Sequence, residues 1–66
     1  MKDFSELRGL RVANGLTQEE MAEILGITST SYHFKETGKR EFKVSEANKI
    51  INLLDVDYED IFLKSS

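Results

Sequence analysis

Apolar positions along the 66-residue chain recur at helical rather than strand spacing, and capping residues and glycines divide them into five segments. In the first, Asp3 and Glu6 form a capping box, and Phe4, Leu7, Leu10 and Arg11 share a face until Asn14 and Gly15 break the pattern. In the second, Thr17 and Glu20 form a Thr-x-x-Glu box that predicts a helix from Thr17. Met21, Ala22, Ile24 and Leu25 are its apolar residues, and Gln18, Glu19, Glu20 and Glu23 its wet side. Gly26 ends it, since glycine adopts the left-handed conformation without a Cβ clash. Thr28 caps a third helix across Ser29 to Thr37, closed by Gly38. A fourth runs from about Ser45 to Leu54 on the stripe Ala47, Ile50, Ile51 and Leu54. Asp57 caps the last, with Tyr58, Ile61 and Phe62 as its apolar face. The pattern predicts an all-α, five-helix domain over residues 1–66, with a core drawn from every helix.

Residues 17–38 thus place a capped helix, a glycine turn and a second short helix at helix-turn-helix spacing. At these residues the chain resembles the phage repressor and Cro superfamily, the lambda-repressor-like fold with an XRE-type helix-turn-helix. Gln18 matches the glutamine opening the first motif helix, Ala22 the small residue where the helices cross, and Gly26 the turn glycine. Tyr32 matches an aliphatic position, and Glu36 with Gly38 the closing Glu-x-Gly. Leu7, Arg11, Gly15 and Leu16 follow the family's first helix. Val44, Ile50, Leu54, Val56 and Ile61 follow its last two, so the likeness covers about nine tenths of the chain. Three residues depart from the pattern. Phe42 replaces a usual proline, Lys35 a usual apolar residue, and Phe34 an often polar, base-reading one. The run from Lys35 to Phe42 resembles small regulators of temperate phages and their hosts.

Composition narrows this reading. With 39% hydrophobic and 32% charged residues the chain reads as soluble and globular, and no apolar run approaches the roughly 18 residues of a membrane span. No signal peptide precedes the first helix, and the chain leaves no room for a second effector domain. The polar end Lys64-Ser65-Ser66 fits a terminus or the start of a linker. Cysteine is absent and His33 is the single histidine, so neither a disulfide framework nor a paired-ligand metal site is expected, and no cofactor is implied. A formal charge of -3 runs against nucleic-acid binding. Its distribution answers in part. Residues 28–43 carry four basic side chains against two acidic, whereas residues 44–66 carry two against five, so a basic segment can face phosphate while the acidic tail faces away.

Thr30, His33, Phe34 and Thr37 share one face of the third helix. Ser29, Thr30, His33 and Phe34 are the candidate base-reading residues, hydroxyls serving either base type and the Phe34 ring a thymine methyl. Phe34 has a second reading, packing into the core or over Phe42. His33 has one too, as a merely solvated side chain. Thr17 and Gln18 at the second helix's start, with Lys39, Arg40 and Lys43 after the third, are the phosphate candidates, against ordinary surface charge. The resemblance implies that Arg11 and Glu36 form a structural ion pair between the first and third helices. Lys35 is expected to lay a partly exposed stem over apolar surface. No nucleophile has a base and an oxyanion donor at recognisable spacing, so catalysis is not expected.

These readings converge on a cytoplasmic regulator of a bacterial or phage-infected cell that binds double-stranded operator DNA as a homodimer, helix three entering successive major grooves about 34 Å apart. Val56, Tyr58, Ile61 and Phe62 are the candidate dimer interface, or alternatively close the monomer core. The rival is a protein-binding module on the same fold, an antitoxin or antirepressor, which the acidic total charge favours. A DNA-binding domain cut from a longer repressor is a further alternative.

Overall fold

The computed structural model describes residues 4–62, in which five α-helices and no strand are found. They are α1 (Ser5–Ala13), α2 (Gln18–Leu25), α3 (Ser29–Glu36), α4 (Val44–Leu54) and α5 (Tyr58–Ile61). Local chemistry sets most of their ends. Thr17 Oγ1 accepts from the Glu20 amide at 3.0 Å while Glu20 Oε1 accepts from the Thr17 amide at 2.9 Å, which completes the expected capping box. Gly26 ends α2 with φ +74, in the region where a Cβ would be strained. Thr28 Oγ1 accepts from the Ser31 amide at 3.1 Å, and α3 closes at Glu36 with Thr37 as its cap. The capping role expected of Asp3 lies outside the described residues. Phe4 takes the cap position of α1, and its amide donates to the Glu36 carbonyl at 3.1 Å, tying the start of α1 to the end of α3.

α4 begins at Val44, where Glu46 Oε1 reaches back to the Lys43 amide at 2.9 Å. It ends at Asp55 in the left-handed region, φ +56, a conformation that aspartate tolerates better than most residues. Asp57 occupies the cap position of α5, but its side chain makes no capping hydrogen bond. That one-turn helix is held instead by the burial of Ile61 and of Phe62, which follows it.

The core comprises Leu7, Met21, Ala22, Leu25, Tyr32, Ala47, Ile50, Leu54, Ile61 and Phe62. Full enclosure of a side chain such as Leu7, Met21 or Ile50 is worth about 1.5–3 kcal/mol, more than the roughly 1 kcal/mol of a helix cap. Caps therefore place the helix ends and burial holds them there. Ile24 and Val44 fall outside this core. Ile24 is 40% and Val44 72% exposed, because the buried stripe of α2 runs through Met21, Ala22 and Leu25, and Val44 sits at the solvent-facing start of α4. Phe42 explains one departure from the family pattern. Its ring packs edge-on against Phe4 at 5.3 Å, Phe62 at 5.6 Å and Tyr32 at 6.0 Å between centroids.

Candidate nucleic-acid interface

Extensive packing of α2 against α3 brings the amino-terminal ends of both helices to one surface cleft of about 690 Å³. Thr17 and Gln18 from the start of α2 line it together with Ser29, Thr30 and His33 from α3. Five of the residues singled out in sequence thus share a wall. Unbonded amides at a helix start favour an anion, and hydroxyls at the start of the following helix lie beside it. Glu19 also lines the cleft and opposes phosphate.

Beneath this surface lies a polar network centred on Glu36, which is nearly fully buried. Arg11 Nε donates to Glu36 Oε2 at 2.8 Å and Arg11 Nη2 to Oε1 at 3.3 Å. Gln18 Nε2 donates to Oε1 at 3.0 Å and the Tyr32 hydroxyl to Oε2 at 2.7 Å. Arg11 Nη1 spends a further proton on the Leu16 carbonyl at 2.7 Å. Burial opposes the charge on Glu36, but the hydrogen bonds from Arg11, Gln18 and Tyr32 outweigh it and hold its carboxyl below the usual carboxylate range. Burial, with the adjacent Glu36 carboxylate, pushes the Tyr32 hydroxyl well above its ordinary value. The network links α1, α2 and α3, and it turns the side chain of Gln18 partly inward. Among the described residues, the other amide proton and the carbonyl oxygen of Gln18 have no hydrogen-bond partner.

Lys39 and Arg40 lie apart from the cleft, over Phe34. Their charged groups are 5.7 and 5.4 Å from the ring centre. Phe34 is half-buried, and Phe42 packs with Phe4, Tyr32 and Phe62 instead, which removes the reading in which Phe34 covers Phe42. Lys43 is exposed at the start of α4.

One expectation needs correction. Lys35 is buried, not a partly exposed stem, and Nζ forms an ion pair with Glu46 at 2.6 and 2.8 Å from its two oxygens. Burial opposes the Glu46 charge, yet the Lys35 hydrogen bond and the Lys43 amide outweigh it and lower its pKa. A lysine fits the usually apolar position because a carboxylate from α4 meets it there. Of the candidate dimer residues, Ile61 and Phe62 lie in the monomer core at 5% and 8% exposure, the alternative left open for them. Tyr58 stays exposed and Val56 half-buried. Sequence reading passed over Glu46 and the Tyr32 hydroxyl. The i, i+4 spacing of Tyr32 and Glu36 was a usable signal for the second.

A family model described as helix-turn-helix matches residues 7–61. The chain belongs to this family of DNA-binding transcription regulators, in its XRE-type, lambda-repressor-like form. It is similar to the HTH-type transcriptional regulator YonR from the SPbeta prophage of Bacillus subtilis, with 37% identity over 60 residues. Those residues are 91% of this chain but 55% of that protein, so the chain spans about half of its length. An HTH-type transcriptional regulator of Archaeoglobus fulgidus is 32% identical over 59 residues, 89% of this chain and 84% of that one. Among solved structures, the restriction-modification controller protein C.AhdI from Aeromonas hydrophila superposes with a TM-score of 0.71 at 32% identity, covering 85% of each chain.

Proposed function

We propose that this protein is a sequence-specific regulator that binds double-stranded operator DNA as a homodimer and represses by occluding a promoter, in the manner of a Cro-like protein. The observation that carries the reading is the shared cleft, where Thr17 and Gln18 at the start of α2 stand beside Ser29, Thr30 and His33 of α3. In this reading α3 enters the major groove, Ser29, Thr30 and His33 meet base edges, and Thr17 and Gln18 hold the adjoining phosphate. Lys39, Arg40 and Lys43 meet further phosphates. Binding requires no cofactor and no catalysis, and a cytoplasmic location suits it. Dimerisation rests on Tyr58 and Val56, the parts of the expected surface left outside the core.

The test is titration of the pure protein against DNA from upstream of its own gene and against random duplex, across a salt series. Selective binding, a steep salt slope and two chains per duplex in sedimentation are expected. Equal affinity for both duplexes at low salt would sink the claim for that operator. A net charge of -3 favours the second reading, capture of a protein partner by the same fold, and copurification of a small basic protein would support it.

A further inference from the structure

The first two residues after the Gly38 turn, Lys39 and Arg40, both fold back onto Phe34. Lys39 Nζ and Arg40 Cζ lie 5.7 and 5.4 Å from the Phe34 ring centre, within the range where a cation is drawn to a ring face. The amides of the same two residues donate to the Phe34 carbonyl at 2.8 and 3.2 Å. Gly38, at φ +86, makes the turn that sends the chain back over the ring. Arg40 Nη1 lies 3.4 Å from Ser31 Oγ, one turn earlier on α3. Backbone and side chain of Phe34 therefore engage the same two residues.

We infer that Phe34 is a positioning residue that holds Lys39 and Arg40 beside α3 for phosphate, and not a reader of bases. The inference rests on the DNA-binding reading. Long cationic side chains lose rotamer freedom when they engage a phosphate, and cations already gathered on a ring have less to lose. The half-buried ring keeps its face for these cations, which leaves Ser29, Thr30 and His33 as the base-facing part of the helix. The departure from a polar residue at this position then has a purpose. A less basic protein gains more from ordering the few cations it has.

The two roles separate experimentally. Phe34→Leu keeps apolar volume but loses the ring face, and it should weaken binding to upstream and mixed-sequence duplexes alike, by about three- to tenfold, with a shallower salt slope. Phe34→Tyr, which retains a ring face, should recover most of that loss. In a Lys39→Gln/Arg40→Gln background, Phe34→Leu should have no further effect. A fall in the ratio of specific to nonspecific affinity, or a full effect in that background, overturns the inference in favour of base reading. Melting temperature is followed in parallel, so loss of fold is told apart from loss of contact. Proton chemical shifts of the Lys39 and Arg40 side chains in the free protein report the packing without DNA, and upfield ring shifts lost in Phe34→Leu are expected. Unshifted cations overturn the inference itself. Shifted cations in a protein that binds no duplex overturn the DNA reading, and with it the phosphate role.

Discussion

Glu36 accepts hydrogen bonds from Arg11, Gln18 and Tyr32 while almost wholly withdrawn from solvent. A buried charge of this kind is tolerable only while its partners remain, and removing one side of such a pair costs about 3–5 kcal/mol. Total stability for a domain of this size is about 3–10 kcal/mol. Arg11→Met is therefore expected to lower the melting temperature by well over 10 °C or to leave the chain unfolded, as circular dichroism will tell. An unchanged melting temperature would mean that Glu36 is satisfied without Arg11. Gln18 couples this network to the cleft. The same residue that lines the cleft is steadied from within by the carboxylate that also pairs with Arg11.

At the scale of the helices, α3 is held from two sides by charge. Arg11 of α1 grips its last residue, and Glu46 of α4 grips Lys35 one position earlier. The second attachment shares a residue with the cap of α4, since Glu46 Oε1 accepts both from Lys35 Nζ and from the Lys43 amide. Lys35→Met should strand Glu46 and cost about 3 kcal/mol or more, whereas Lys35→Met with Glu46→Gln should recover much of the loss. The side-chain carbonyl retained by Glu46→Gln would still accept from the Lys43 amide, so the start of α4 is spared. If single and double variants melt alike, the pair contributes nothing through its charge. This pair was invisible in sequence. Residues 35 and 46 lie eleven apart on different helices, and no periodic rule connects them.

Across the whole molecule, both buried carboxylates have lowered pKa values, and that makes the fold sensitive to acid. Groups with depressed folded-state pKa values contribute their stability above the unfolded value, about 4.3 for glutamate, and lose it as pH falls through the lowered one. Melting temperature should therefore change little with these groups between about pH 7 and 5 and fall below about pH 4.3. Arg11→Met and Lys35→Met should each blunt the acid limb. A melting temperature that rises on acidification would contradict both pKa shifts. The basic segment from Lys35 to Lys43 also divides once the chain is folded. Lys35 is consumed in the core, whereas Lys39, Arg40 and Lys43 stay exposed on the surface.

Helix number, order and nearly every boundary were legible beforehand, because they depend on residues three or four apart: Thr17 with Glu20, Thr28 with Ser31, and the glycines at 15, 26 and 38. The wall of the cleft was legible for the same reason, since Thr17, Gln18, Ser29 and Thr30 sit at the starts of two helices joined by a short turn. What remained hidden involved residues distant in sequence or choices among equal packings. Periodicity marked Ile24 and Ile61 alike as apolar, and only the meeting of helices exposed one and buried the other. It marked Phe34 and Phe42 alike as aromatic, yet one ring entered the Phe4 and Phe62 cluster and the other received two cations. Local hydrogen bonds and helical spacing are properties of a short stretch of chain. Burial, and the pairing of charge across helices, exist only once the helices are packed.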